Sequence, residues 1–338
     1  QYKDYAVWQR AFQQKEGYRK QEAYWLKRLE GELPVLELPA DKPRPAVRSF
    51  AGGTVSCTLD AETASGLHRI ARDHGSTLYM VLLAAYNTLL ARLSGQKDII
   101  VGSPIAGRPH KDLEPILGMF VNTLAIRTEP KADKRFTDYL AEVRQAALEA
   151  YEHQDYPFEE LVERLGVQRD TSRNPLFDAM LVVQNMEHAE LLLDDLYIQP
   201  ADMSRPVSKF DFTLQASEGG GQIHFLFEYA SALFRKETME RWASHFLTML
   251  EHIVREPETS LQAINMLTVP ERNRILSDFN GMTDKQLPEN TVHELFITQA
   301  RKTPDRAALI SGDKSVTYKE LDEWSNKIAR ALQKRQIG

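Results

Sequence analysis

The side chains best equipped to bind metals or attack substrates are nine histidines and one cysteine, and they are scattered. No two histidines are adjacent, none lies four residues from another, and none stands beside Cys57. That spacing offers no zinc site, which needs ligands converging from a helix turn or a knuckle. There is no Gly-x-Ser-x-Gly elbow to present a nucleophilic serine, and no phosphate-cradling P-loop. The glycine-rich "SEGGGQ" joins two strand-like stretches, so it reads as a hairpin turn. What remains are polar residues in odd places. "GMFVNTLAIR" (118–127) alternates as a strand, placing Phe120, Asn122, Leu124 and Ile126 on one face. Only the carboxamide of Asn122 interrupts that apolar row. Asp4 and Trp8 share a helical face at i, i+4 spacing. Asp155 opens a helix in "HQDYPFEEL", and Arg173 sits in a turn leading into a strand in "RDTSRNPLF".

Positioning these groups falls to a mixture of helices and strands. Residues 1–30 read as one aromatic-rich helix stopped by Gly31 and Pro34, followed by a loop with Pro39, Pro43 and Pro45. "GGTVSCTL" is a short strand, and Asp60 is placed to cap the helix after it. Ser76 or Thr77 caps "LYMVLLAAYNTLLARL", which is apolar nearly all round and must therefore be buried. "DIIVGSPIAG", "GMFVNTLAIR" and "LFDAMLVVQN" read as strands, while 136–153 and 157–165 read as helices. "FDFTLQAS" and "QIHFLFEYA" alternate around "EGGG" as a hairpin that aligns Phe210, Phe212 and Leu214 with Ile223, Phe225, Phe227 and Tyr229. A helix over 236–255 follows. These elements describe an α/β (α+β layered) domain over residues 1–262, with a mixed sheet flanked by helices. Residues 263–291, punctuated by Pro, Asn and Gly, read as an interdomain linker. From 292 to 338 the pattern helix, strand, strand, helix starts a new unit too short for a core of its own.

Charge and composition narrow the partners. A net charge of −6 argues against nucleic acid and against an anionic membrane, both of which need a basic face. The most apolar run, 78–93, is interrupted by Asn87 and Arg92 and is too short to span a bilayer. With Cys57 alone, no intramolecular disulfide forms, which suits a reducing cytoplasm. The opening has neither an initiator Met nor a signal-peptide pattern, and both ends read as cut from something longer.

Four stretches then carry a resemblance. "YKDYAVWQ" (2–9), "GMFVNTLAIR", "HQDYPFE" (153–159) and "RDTSRNPLF" (169–177) resemble, in order, consecutive motifs of nonribosomal peptide synthetase condensation domains. "VGSPIAGRPHKDLEPILG" (101–118) resembles the loop and strand leading into the second of them. From Val292 onward the chain is similar to the opening of an adenylation domain. One departure stands out. The family's His-His-x-x-x-Asp-Gly motif, whose second histidine is usually given the catalytic role, is not in this sequence.

The resemblance implies a chloramphenicol-acetyltransferase-like lobe, the second of two that form a V around an active-site tunnel. It implies amide formation between aminoacyl and peptidyl thioesters delivered on phosphopantetheine arms by carrier proteins. On this basis no catalytic set is complete here, no metal or cofactor binds directly, and the fragment alone is inactive. The implied partners are carrier domains, the missing first lobe and the rest of an adenylation domain. Asn122, Trp8, Asp4, Asp155 and Arg173 become substrate-channel or supporting residues. For Asn122 two readings stand: an amide donating into the tunnel, or one tying down a neighbouring loop. Asp155 and Arg173 are expected to pair and fix two loops, Asp4 and Trp8 to dock a helix between lobes, and His153 to cap a helix end. Epimerisation and heterocyclisation domains share the fold, and a non-catalytic carrier-docking lobe is the alternative of a different class.

Overall fold

A computed structural model describes residues 1–168, 170–184, 207–279 and 291–337. Arg169 of the "RDTSRNPLF" stretch, Asn185 at the end of an expected strand, and 280–290 of the expected linker lie outside the described residues. The chain forms two compact units, Gln1–Arg272 and Asn273–Gly338.

The first unit opens with α1 (Tyr2–Phe12) and α2 (Glu16–Arg28), where the sequence pattern predicts a single helix. The chain breaks where Lys15 adopts extended backbone (φ −92°, ψ 158°), folding back so that Phe12 meets Tyr18 edge-on at 5.9 Å. The packing of two aromatics across a turn overrides a continuous helical pattern. Next come β1 (Gly52–Leu59), α3 (Ala61–Asp73), α4 (Leu78–Ser94), β2 (Ile99–Ile105), β3 (Asn122–Thr128), α5 (Phe136–Glu152), α6 (Phe158–Arg164), β4 (Ala179–Gln184), β5 (Phe212–Gly219), β6 (Gln222–Ala230) and α7 (Lys236–Arg255). Asp60 caps α3 by accepting from the Thr63 N–H at 2.9 Å, and Thr77 caps α4 by accepting from the Met80 N–H at 3.3 Å. Each cap satisfies a donor that the first helical turn cannot.

Six strands form one mixed sheet in the order β1-β6-β5-β4-β2-β3. The hairpin forms as expected, with Phe212 opposite Tyr229, Leu214 opposite Phe227 and Ala216 opposite Phe225, but Phe210 precedes the paired strand. Its tight turn is Gly220–Gly221, both at positive φ (60° and 79°), a geometry glycine adopts freely. β2 meets β3 along its length, yet the parallel join between β2 and β4 consists of one paired position, Gly102 with Met180. A Cβ at Gly102 would sit 2.2 Å from the Phe177 ring, so only glycine lets that ring close over the seam. The apolar helix α4 is buried as its pattern requires. Between α4, α7 and the sheet lies an aromatic core: Phe212 contacts Tyr86 and Trp242, and Phe225 and Phe227 meet Phe246 edge-on.

β3 starts at Asn122, not at Gly118. A strand needs a ladder partner, and β2 ends at Ile105, which faces Asn122. Residues 118–121 are instead a loop whose Phe120 is buried against Tyr2, Tyr5 and the Arg108 guanidinium (4.1 Å from the ring centre).

α8 (Val269–Ser277) spans the boundary of the two units. The second unit carries α9 (Val292–Lys302), β7 (Ala307–Ser311), β8 (Lys314–Thr317) and α10 (Tyr318–Lys334), with β7 and β8 antiparallel. Phe296 of α9 packs against Tyr318 of α10, while Trp324, Ile328 and Leu332 remain exposed.

Candidate functional site

Asn122 spends its carboxamide on backbone. Its Nδ2 donates to the carbonyls of Gln154 (2.9 Å) and Tyr156 (2.8 Å), and its Oδ1 accepts from the Phe158 N–H (3.1 Å). Both donors and the acceptor thus hold the loop between α5 and α6. That loop has no regular partner for its own polar groups, and a single amide at the start of a strand supplies three. The same loop is gripped from the other side, where Trp25 Nε1 donates to the His153 carbonyl at 2.8 Å. His153 is the C-cap of α5; its Nδ1 lies 2.7 Å from the Glu149 carbonyl and its ring stacks on Tyr24 at 4.1 Å.

Asp155 and Arg173 do not pair, contrary to expectation. Asp155 accepts from Gln21 Nε2 at 3.3 Å. Arg173 donates to Asp178 Oδ2 (2.7 Å), to Glu37 Oε1 (2.7 Å) and to the Leu36 carbonyl (3.1 Å). The turn after Asp170 curls the chain so that the carboxylate five residues on, rather than the one before α6, reaches the guanidinium. Asp178 also accepts from the Asn174 N–H at 3.1 Å. Beside it, Arg44 pairs with Asp211, and the Asp211 N–H donates to the Asp178 carbonyl at 3.0 Å. Both carboxylates are buried. Burial and the nearby Asp211 charge raise the Asp178 carboxyl above its ordinary range, against the pull of Arg173. Sequence reasoning misses Arg44, Asp178 and Asp211. The one signal it offers is an acidic residue heading an otherwise apolar strand, Asp211 between Phe210 and Phe212.

The α1 residues form an exposed aromatic ladder. Trp8 stacks between Tyr5 (5.7 Å) and Phe12 (5.3 Å, interplanar 4°), and remains 46% exposed. Asp4 lies in the first turn of the helix, 2.8 Å from the Gln1 amine. Tyr2 donates to the Met119 carbonyl at 3.1 Å, fastening α1 to the loop before β3. Tyr5 lies near Asp155, while Tyr18, bonded to Glu160, packs on Tyr156, whose phenol is pushed up to about 12 by burial and by Glu22 and Glu160.

The structure therefore brings Asn122, Asp155 and the α1–α2 aromatics to one end of the sheet, and puts Arg173 in a separate buried knot. Asn122 and Arg173 have committed their polar atoms to the fold, and Trp8, stacked between two rings, stays partly exposed. Among the described residues no group of three or more His, Cys, Asp and Glu side chains could hold a metal ion, and no helix is long and apolar enough to cross a membrane.

Residues 1–276 match the condensation domain family model. The chain is 64% identical over 337 residues to a plipastatin synthase polypeptide of Bacillus subtilis (strain 168), covering 100% of this chain and 9% of that protein. It thus spans under a tenth of that curated relative. Among solved structures it resembles a holo four-domain nonribosomal peptide synthetase bound to AMP and glycine (TM-score 0.70, 25% identity, 93% of this chain and 25% of that one). It also resembles the X-domain in its complex with OxyB from teicoplanin biosynthesis (TM-score 0.71, 27% identity, 79% of this chain and 61% of that one). Over residues 1–276, the chain belongs to the condensation-domain family found in nonribosomal peptide synthetases.

Proposed function

We propose that residues 1–276 serve peptide-bond formation within a large synthetase, as the second lobe of a condensation domain. The family match over those residues carries the reading. In the reaction, the α-amine of one carrier-bound aminoacyl group attacks the thioester carbonyl of another. The C–N bond forms, the C–S bond breaks, the amine loses a proton and the phosphopantetheine thiolate departs to be protonated. An α-amine has a pKa near 8, so roughly a tenth is neutral at pH 7. Thioesters are activated acyl donors, and holding both reactants at attack distance supplies much of the rate, with effective molarities of about 10⁵ M or more in good cases. Asn122, Asp155, Trp8, Asp4 and Arg173 act here as supporting residues. They fix the loops and the aromatic helix that border the tethered substrates. The paired histidines of the family motif are not among these 338 residues, so this polypeptide by itself does not condense. Residues 292–338 serve as the opening of an adenylation domain, and the implied partners are carrier domains, a first lobe and the remaining adenylation domain. The lone Cys57 fits a cytoplasmic setting.

Reconstitution tests this. Loaded donor and acceptor carrier proteins should give no dipeptide above the uncatalysed rate with this chain, and dipeptide with a longer polypeptide that includes the histidine motif. An oxazoline ring or an inverted stereocentre from the longer protein would instead assign heterocyclisation or epimerisation. The likeness to an X-domain seen in complex with OxyB favours one second reading, a lobe that docks a partner without catalysis. Under it the longer protein would bind carriers yet form no product.

A further inference from the structure

A buried histidine on α7 stands apart from the loops and the aromatic ladder. His245 is 6% exposed, and its Nε2 lies 2.6 Å from Glu271 Oε2 in the first turn of α8. Its Nδ1 is buried without a hydrogen-bond partner. Since a carboxylate accepts, Nε2 carries the proton that Glu271 receives. On either side of this contact the chain is held very differently. Upstream, Arg92 of α4 donates to the carbonyls of Leu261 (3.1 Å), Gln262 (2.8 Å) and Ile264 (3.2 Å), and Leu261 and Ile264 are buried. Asn265 then makes a short turn with both its amide groups bonded to Leu267. In α8 itself Glu271 alone is half-buried, and every other residue of the helix is exposed. Val269, at the start of its first turn, is 72% exposed.

We infer that His245 and Glu271 form a latch that pins the first turn of α8 to the lobe, and that His245 is a positioning residue for the exit of the chain. Arg92 bolts the backbone up to Ile264, and the His–Glu bond decides whether the first turn of α8, residues 269–272, stays on α7 or swings away. A hydrogen bond to a charged group away from bulk water is among the stronger kind, enough to set the opening of one helical turn that buries no apolar side chain. The inference is independent of which reaction the lobe serves.

Hydrogen exchange measured by mass spectrometry on the 338-residue chain tests it. Glu271→Ala should speed exchange in peptides covering 269–277 about ten-fold while leaving α4 unchanged. His245→Leu, which keeps the acidic group at the helix N-terminus, should do the same, and the double variant should be no faster than either alone. If His245→Leu leaves exchange at 269–277 at the wild-type rate, Glu271 acts only on its own helix and the latch does not exist. Equal acceleration in α4 would also overturn it, because the effect would then be global loosening. Should His245→Leu fail to fold, Glu271→Gln decides, since its amide oxygen still accepts from Nε2. Slow exchange in that variant beside fast exchange in Glu271→Ala supports the latch, and equally fast exchange rejects it.

Discussion

Two loops at the ends of strands are tied down here by opposite means. The loop at 154–158 is held by one neutral amide, Asn122, which meets two carbonyls and an N–H. The segments around 36–48 and 170–178 are held by charges, with Arg173 on Asp178 and Glu37, and Arg44 on Asp211. A neutral clamp loses little solvation when it is buried and does not titrate. A buried charge pair loses much solvation and is secure only while both members remain. The amide suits a loop whose backbone must be placed closely. The ionic knot suits a junction of several segments, where one guanidinium can reach several acceptors at once.

The largest effect should come from halving an ion pair. Arg173→Ala leaves Asp178 buried beside Asp211 without its counter-ion, and urea unfolding should show a loss of about 3–5 kcal/mol. A loss under about 1 kcal/mol, the scale of an exposed pair, would mean that the knot is effectively solvated and that the comparison fails.

Asn122→Ala should cost less, about 2 kcal/mol from three forfeited hydrogen bonds. Asn122→Asp sharpens the point. An ionised carboxylate there faces two carbonyls, so it should be less stable than Asn122→Ala at pH 7 and recover as acid protonates it. If the two variants unfold alike at every pH, the carbonyl contacts are not what Asn122 provides.

A pH series separates the two devices further. The Asp178 carboxyl is raised, chiefly by burial and then by Asp211. Between the unfolded value of about 3.9 and that raised value, the native state holds a proton the unfolded chain lacks. Its contribution to stability therefore grows as pH falls through that window and declines as pH rises. The stability difference between wild type and Asp178→Asn should shift in favour of wild type as pH falls toward the unfolded value, whereas the cost of Asn122→Ala should stay flat. Asp41 behaves in the opposite sense. Burial raises its carboxyl, but bonds from the Arg235 N–H and the Thr238 hydroxyl, with the Arg235 and Arg241 charges, outweigh burial and lower it. Its contribution is present above the unfolded value and lost in stronger acid. The smallest effect is expected at the exposed ladder, where Trp8→Ala should lose about 1 kcal/mol of stacking, measured by thermal unfolding.

The hairpin, the buried helix and the caps at Asp60 and Thr77 are legible in the sequence because each depends on neighbours within a few residues. The break between α1 and α2 is not, since it arises from Phe12 meeting Tyr18 after the chain has turned. Asn122 announces itself as an amide in an apolar row, but its partners are backbone groups 32 to 36 residues away. Every residue has such groups, so no sequence feature marks them. Arg173 stands out in its motif, yet the expected carboxylate is the wrong one, because spacing along the chain does not reveal a turn's curl. Arg44 and Asp211, 167 residues apart, give no joint signal at all.

The six strands are less continuous than their number implies. Along the line where β2 meets β4, a single paired position stitches four strands to two. Mechanically this is a perforation. Under tension across the sheet, load passes to the fewest backbone bonds there, so the two plates should part along that line before either frays, and a pulling experiment would record it as an early, low-force step. Phe177, closed over Gly102, is the side-chain rivet across that line of compliance.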